Sequence, residues 1–351
     1  MDKAQVLSHI EEYLQSKGWT KSLTCKKTTY EKNYSPQAPQ TRSFITTEKV
    51  YETVKKKLEA EVGAQTHFNT VINPYKDTDF IIAALQCINP YVYDGIEPDI
   101  GIKYSFQPVV RPIPEDEIGN EGFLKSFVNV GTVGILKDYD EFFVQLELWL
   151  DILALCRIHI SRVQLELKTS TSAYDGVGLS VNVNGYDIGQ ANVYEMLLQD
   201  SGYYVLDFGF GLERISWAAN SFKEFDLVTQ NYSLYYLQTP TVTDSVKYTV
   251  LLMLSGVIPS SKKFGLILRN EMVDLFEKQG YLFDYTRYID MAYDYYSKFI
   301  FSPLNKAQIV DIFEREKNYL LKKTIAAKHG YVKNVSDIDI EKLCKLIHTS
   351  K

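Results

Sequence analysis

The stretch DFGFGLERI, residues 207–215, decides the interpretation of this chain. It follows residues 203–206 (YYVL), a run of aromatic and β-branched residues that is typical of a strand. Residues 215–220 continue in a pattern typical of a helix. Gly209 and Gly211 are predicted to form a tight strand-to-helix turn at which the backbone can approach a ligand closely.

Two charged residues of this stretch suggest a binding site. The N-terminus of a helix presents free N–H groups and a positive dipole end, both of which favour an anion. Arg214, one turn into the helix, can donate two parallel hydrogen bonds to phosphate oxygens. Asp207, where the strand ends, can pair with an ammonium group. The alternative is a buried corner in which Glu213 and Arg214 only face solvent, and it is the commoner meaning of an isolated Gly-x-Gly.

The complete stretch resembles the third signature motif of class II aminoacyl-tRNA synthetases. It is most similar to the archaeal-type alanyl-tRNA synthetase version, Asp-x-Gly-x-Gly-Leu-Glu-Arg. The resemblance implies an antiparallel catalytic sheet flanked by helices. It also implies that Gly209, Gly211 and Arg214 bind ATP, and that Asp207 binds the amino acid.

Residues 107–111 (QPVVR) resemble the "Gln-Pro-Cys-Ile-Arg" strand of the same family. A strand that ends in Arg111 presents a guanidinium group at the edge of the sheet, where it suits the α-phosphate of ATP. Together with Arg214, Arg111 is therefore the candidate for catalysis as well as for ATP binding.

Residues 113–122 and the predicted strand 124–135 resemble the strand-loop-strand of the second class II motif. Phe127 falls where the family stacks a Phe on adenine; its alternative role is that of a core aromatic residue. Alanyl-tRNA synthetases carry cations in this loop, whereas this chain has Asn120 and Phe123 there. A loop that meets a polyanion gains from cations, so an acidic loop favours an acceptor other than tRNA.

Residues 179–196 predict two strands joined at Asn184-Gly185, a strong hairpin signal. Asp187 and Glu195 are the carboxylates of this ladder nearest to a metal-ligand role, and the resemblance implies Mg²⁺ alongside ATP. The family Trp that covers the alanine pocket has no clear counterpart. The predicted amino acid is therefore alanine or a small analogue.

Beyond Asn220 the composition predicts helices. Residues 257–270 resemble the segment that opens the tRNA-recognition domain of alanyl-tRNA synthetases. We therefore predict an α+β catalytic domain over residues 1–235 and an all-α domain over residues 236–351. The resemblance covers roughly residues 77–325, and nothing in the sequence corresponds to the family's editing domain or C-terminal extension.

The amino-acid composition limits the classes of protein and of function that these predictions allow. The chain has 351 residues, of which 45% are hydrophobic and 23% charged, the balance of a soluble globular protein. Its formal charge of -6 does not indicate nucleic-acid binding. The four cysteines are widely spaced, which indicates neither a zinc site nor a disulfide framework. Without a signal peptide or a membrane-spanning apolar run, the expected location is cytoplasmic.

Three functions follow from these patterns. The first is an enzyme that activates an amino acid with ATP and transfers it to tRNA. The second is a stand-alone paralog that loads a carrier protein or a small molecule instead. The third, of another class, is a non-catalytic module that binds ATP, an amino acid or tRNA. A Rossmann or P-loop enzyme is disfavoured, because the strand pattern is one of hairpins and no Gly-x-x-x-x-Gly-Lys motif occurs.

Overall fold

The computed structural model describes residues 2–24, 27–32, 44–75, 77–118, 122–168, 176–195, 202–221 and 240–329. The chain divides into two compact units, Met1–Ser233 and Leu234–Lys351. The boundary between them falls outside the described residues. The functions assigned to the two predicted domains remain predictions.

The first unit is built on one sheet of eight strands. They are β1 (Thr20–Leu23), β2 (Thr28–Glu31), β3 (Gly101–Val110), β4 (Ser126–Leu136), β5 (Val163–Lys168), β6 (Gly176–Val183), β7 (Tyr186–Glu195) and β8 (Tyr204–Gly211). Their order is β1-β2-β5-β6-β7-β8-β4-β3. Every neighbouring pair is antiparallel. The mixed α+β architecture predicted from the sequence is therefore confirmed.

Five α-helices belong to the described part of this unit. They are α1 (Lys3–Ser16), α2 (Thr47–Glu61), the short α3 (Asn89–Tyr93), α4 (Glu141–Leu155) and α5 (Leu212–Ala219). In α4 the buried positions recur so that one face packs on the sheet. Trp149 of α4 stacks on Phe210 of β8 with ring centroids 4.3 Å apart. The Trp149 indole N–H donates to Thr132 Oγ1 at 3.0 Å, so its polar atom is satisfied inside the core.

The glycines of β8 agree with their prediction in part. The strand continues through Gly209 to Gly211, which is the N-cap of α5, and the helix begins directly at Leu212. Gly209 pairs with Gln190 on one side and Gly131 on the other, within regular ladders. The tight transition from strand to helix therefore lies at Gly211, whereas Gly209 stays inside the strand because it is paired on both sides.

The hairpin predicted at Asn184-Gly185 is confirmed. Both residues have positive φ, 49° and 87°, as a two-residue turn of this kind requires. The β6–β7 register then shifts, since Val181 pairs with Gly189 whereas Asn182 pairs with Asp187. This irregularity gives β7 one extra residue, Ile188, relative to β6.

The described part of the second unit is helical. Its helices are α6 (Pro240–Leu254), α7 (Lys263–Gln279), α8 (Thr286–Tyr296) and α9 (Lys306–His329). The sequence also predicts a helix over residues 338–347, which lie outside the described residues. Among the described helices of the chain, none has both the length and the apolar character needed to cross a membrane.

Candidate active site

A cavity of about 290 Å³ opens on the face of the central strands that is opposite to α4. Every residue that the sequence analysis proposed for a site lines this cavity, apart from Glu195. The set is Arg111, Phe127, Asp187, Asp207, Gly209, Gly211 and Arg214. The cavity thus brings together residues from β4, β7, β8 and α5 with Arg111, which directly follows β3.

Arg111 follows the last residue of β3, and two hydrogen bonds fix it there. Its backbone N–H donates to the Lys125 carbonyl at 2.9 Å. Its side-chain Nε donates to the Ile82 carbonyl at 2.8 Å. The guanidinium carbon lies 4.9 Å from the centroid of the Phe127 ring, close enough for a cation–π contact. One face of Phe127, the predicted adenine platform, is therefore covered by Arg111.

Arg214 lies in the first turn of α5, and its guanidinium group is held by backbone carbonyls. Nε donates to the Gly122 carbonyl at 3.2 Å, and Nη1 donates to the Asp187 carbonyl at 2.9 Å. The Asp187 carboxylate lies 3.8 Å from Nη1. The guanidinium also lies 4.5 Å from the centroid of the Phe123 ring. These contacts orient Arg214 before any ligand binds.

Asp207 sits in the middle of β8, directly opposite Asn192 of β7. Burial raises the pKa of the Asp207 carboxyl to about 6, although hydrogen bonds from Asn192 and Tyr194 and the charge of Arg111 oppose that rise. At neutral pH the carboxylate is therefore mostly ionised. It can act as the acceptor for a substrate ammonium group.

The two arginines interact electrostatically. Burial lowers the pKa of Arg111, and the positive charge of Arg214 lowers it further; Asp207 and Asp187 act in the opposite direction. Although many protein atoms surround Arg111, the residue still exposes a large part of its surface to water, so solvent screening makes these effects small. An anion placed between the guanidinium groups would relieve their repulsion. This arrangement suits phosphate oxygens.

The predicted pair of metal ligands does not come together. Asp187 and Glu195 lie at opposite ends of β7, eight residues apart and so roughly 26 Å from each other. One ion cannot bind both, because a strand is extended; a metal role for either carboxylate alone stays a prediction. Burial raises the pKa of Asp187, while Arg214 lowers it. Within the described residues, no group of three or more His, Cys, Asp or Glu is placed to hold a metal.

Several lining residues were not proposed from the sequence. Asn129 Oδ1 accepts from the Ala84 N–H at 2.9 Å, and its Nδ2 donates to the Phe210 carbonyl at 3.3 Å. Glu213 is buried, and its Oε2 accepts from the Val128 N–H at 3.1 Å, which ties α5 to β4. Strand alternation would have found Asn129, since it stands two residues after Phe127 and shares its face.

Comparisons with known proteins add little to this geometry. No protein-family model matches the chain, and no curated protein matches it. Among solved structures, it is similar to pyrrolysyl-tRNA synthetase from Desulfitobacterium hafniense, with 13% sequence identity and a TM-score of 0.40 over 53% of this chain and 74% of that chain. A second structure, of Desulfitobacterium hafniense PylSc, a pyrrolysyl tRNA synthetase, shows 12% identity and a TM-score of 0.38 over 52% and 71% of the two chains. Neither supports the alanyl type, and similarity at this level assigns no family or activity to the chain.

Proposed function

We propose that the chain is a ligase of the class II aminoacyl-tRNA synthetase kind, which activates a small amino acid with ATP and transfers it to an acceptor. The observation that carries this proposal is the common cavity of Arg111, Arg214 and Asp207. These are the residues for which the sequence resemblance implies binding of ATP and of the amino acid. The antiparallel sheet agrees with the architecture that the resemblance implies.

The proposed reaction needs charge stabilisation and positioning rather than a covalent nucleophile. A carboxylate oxygen of the amino acid attacks the α-phosphorus of ATP, and the bond to pyrophosphate breaks. Arg111 and Arg214 neutralise the negative charge that develops on the phosphates. Asp207 holds the ammonium group and so directs the substrate carboxylate towards the α-phosphorus.

ATP fits the cavity chemistry, since two preoriented guanidinium groups and an aromatic ring line one space. A protein-bound Mg²⁺ does not fit the carboxylates that were predicted to hold it. Asp187 lies beside Arg214 instead, and Glu195 lies outside the cavity. Mg²⁺ is commonly bound through substrate phosphates, so we assign no protein ligand to it and derive no step from it.

We propose tRNA as the acceptor, since the sequence retains the order of the family's helical segments. One observation favours the second candidate, a carrier protein or a small molecule. Asp116 and Glu117 are exposed in the short 3₁₀ helix between β3 and β4. In the same loop, Phe123 stands where the alanyl-tRNA synthetases carry a cation, and its ring contacts Arg214. Exposed carboxylates repel a nucleic-acid backbone.

The test of activation is amino-acid-dependent exchange of pyrophosphate into ATP, measured over a panel of amino acids. We expect exchange with at least one small amino acid. ATP binding without exchange for any of them would favour the non-catalytic module instead. Charging of total tRNA then separates the acceptors: exchange without tRNA acylation removes tRNA and leaves the carrier protein or small molecule.

We also propose a cytoplasmic setting without a membrane partner. Cys87 and Cys156 are free thiols, as is usual in a reducing compartment. Burial raises the pKa of both thiols, which makes them poor nucleophiles. Neither cysteine has a role in the proposed reaction.

A further inference from the structure

The segment of residues 122–124, which precedes β4, lies over the first two turns of α5. The Gly122 carbonyl accepts from Arg214 Nε at 3.2 Å. Leu124 packs with Trp217 in a small apolar cluster in which both residues are buried. Between them, the centroid of the Phe123 ring lies 4.5 Å from the Arg214 guanidinium carbon. Three successive residues therefore contact α5, and two of these contacts are with Arg214.

Gly122 is the residue that lets this segment approach α5 so closely. Its φ is 77°, in the left-handed region that favours glycine. A Cβ at this position would lie 2.9 Å from the Trp217 ring and 3.5 Å from Arg214 Cγ. A side chain there would therefore push the segment away from the helix. The backbone at Gly122 consequently places the Phe123 ring against Arg214.

Phe123 is an aromatic residue that water reaches. It is 37% exposed, and it lines the same cavity as Arg214. An exposed ring gains little from burial, but a guanidinium group over its face is attracted to it electrostatically. The Arg214 side chain is only 19% exposed, and this attraction grows as the cation loses water. The contact with Arg214 therefore gives Phe123 a physical role that its burial does not.

The ring and the backbone carbonyls restrain Arg214 in different ways. The carbonyls of Gly122 and Asp187 accept from Nε and Nη1, which lie at the edge of the guanidinium group. The Phe123 ring covers one face of the guanidinium plane. A planar group that is held at its edge can still tilt about that edge, whereas a ring against its face opposes the tilt. With both restraints in place, the guanidinium group has one orientation towards the cavity that it lines.

We propose that Phe123 is a positioning residue for ATP, which raises the affinity for the nucleotide only by holding the guanidinium group of Arg214 against tilting. The inference rests on the proposed ATP site. It goes beyond that proposal because it assigns part of the ATP affinity to a ring that does not touch the phosphates. A ring that acted on the nucleotide directly would not need Arg214, and this difference can be measured.

A substitution series at position 123 separates the aromatic face from the bulk of the side chain. Phe123→Tyr and Phe123→Trp keep a π face, whereas Phe123→Leu keeps an apolar side chain without one. By calorimetry we expect the dissociation constant for ATP to stay within about 3-fold in the first two variants and to rise by about 3-fold to 30-fold in Phe123→Leu. An unchanged constant in Phe123→Leu would overturn the inference, as would equal losses in all three variants.

Exchange kinetics distinguish positioning from a general structural effect. In Phe123→Leu the KM for ATP should rise, while the KM for the amino acid, which Asp207 holds in the proposed function, should stay within about 2-fold. Phe44→Leu is the matched control, since Phe44 is also an exposed aromatic residue of the first unit (46%) but does not line the cavity. It should leave both constants unchanged. A parallel rise of both constants in Phe123→Leu would show structural damage and contradict the proposal.

A double-mutant cycle with Arg214→Gln tests whether Phe123 acts through Arg214. In that background, Phe123→Leu should change the dissociation constant for ATP by less than about 2-fold, since the ring no longer has a guanidinium group to hold. The same loss in both backgrounds would overturn the inference.

Calorimetry also separates this inference from the proposed function, because it needs no turnover. ATP binding that shows the expected pattern, without exchange for any amino acid, would sustain the role of Phe123 and overturn activation. Exchange and ATP binding that Phe123→Leu leaves unchanged would do the reverse. No ATP binding by the unmodified protein would overturn both.

Discussion

The two faces of β8 have opposite compositions. One face carries Leu206, Phe208 and Phe210, which are all buried. The other carries Asp207, Gly209 and Gly211, which line the cavity. Successive side chains of a strand point to opposite faces, so one eight-residue segment supplies both the core and the candidate site.

The difference between the two faces shows how a stabilising core can offset the cost of burying a charged group in the candidate site. The aromatic face gains free energy through burial and ring contacts with α4. On the cavity face, burial raises the pKa of Asp207 and so disfavours its charged form. Gly209 and Gly211 on that face have no side chains and so add no side-chain packing. Substitutions on the two faces should therefore change different properties, and the size of each effect tests this separation.

The largest effect is expected on the core face. Phe210→Ala removes the ring that stacks on Trp149 and leaves a cavity. We expect the free energy of unfolding to fall by about 3–5 kcal/mol, measured by denaturant titration of the first unit's transition. A loss below about 1 kcal/mol would show that this face does not stabilise the unit as described.

Arg214→Ala should have the next largest effect, and it should appear in catalysis rather than in stability. Loss of a preorganised cationic donor is expected to lower kcat/KM for pyrophosphate exchange by about 100-fold to 1,000-fold. The melting temperature should change little. Arg162→Ala is a matched control, since Arg162 also bonds a backbone carbonyl, that of Ala218, but does not line the cavity. Exchange that survives in Arg214→Ala would contradict the proposed role.

Asp207→Asn should lower activity and raise stability. The folded-state pKa of about 6 lies above the ordinary 3.8, so the folded protein binds this proton more tightly than the unfolded chain does. That contribution to stability is present below about pH 4 and is lost as the pH rises through 6. At pH 8 we therefore expect the variant to be more stable than the unmodified protein, by about 1–3 kcal/mol, with the difference vanishing near pH 4.

The same carboxyl predicts the pH profile of activity. An ammonium group binds the ionised form of Asp207, so kcat/KM for the amino acid should fall as the pH drops below about 6. Denaturation measured between pH 4 and pH 8, beside exchange kinetics over the same range, checks both signs. A variant that is less stable at pH 8 would contradict the burial of this carboxylate.

Gly209→Ala is expected to have the smallest effect on stability. The added Cβ would lie 3.3 Å from Asn129 Nδ2 and 3.8 Å from Asp207 Oδ1, so only small shifts are needed. We expect a change in unfolding free energy within about 1 kcal/mol and a several-fold rise in KM for the amino acid. Gly131→Ala is the contrast, because its Cβ would collide with the Phe208 backbone carbonyl. Gly131 pairs directly with Gly209 and shares its face of the sheet, so similar stabilities for the two variants would show that the space around the added Cβ does not decide how these positions tolerate alanine.

Local sequence patterns predicted which strands and turns exist better than they predicted the residue at which each strand ends. The Asn184-Gly185 turn was recognisable because two positive φ values demand those residues. The end of β8 was not, since Gly209 permits a turn but does not require one. Pairing with β4 and β7 kept the glycine in the strand. Asp187 and Glu195 failed as a pair for a similar reason: the sequence placed them on one ladder, but their separation depends on how far β7 extends.

The sequence by itself determined the alternation of strands, the α+β class, and the residues with the charge and shape to bind ATP and an amine. Those features depend on residue type and short spacing. Only the tertiary structure decided that Arg111 and Arg214, 103 positions apart in the chain (214 − 111), line one cavity. It also decided that Asn192 stands directly opposite Asp207 on the neighbouring strand. Strand order and register set these proximities, and they depend on how distant segments pack rather than on any local pattern.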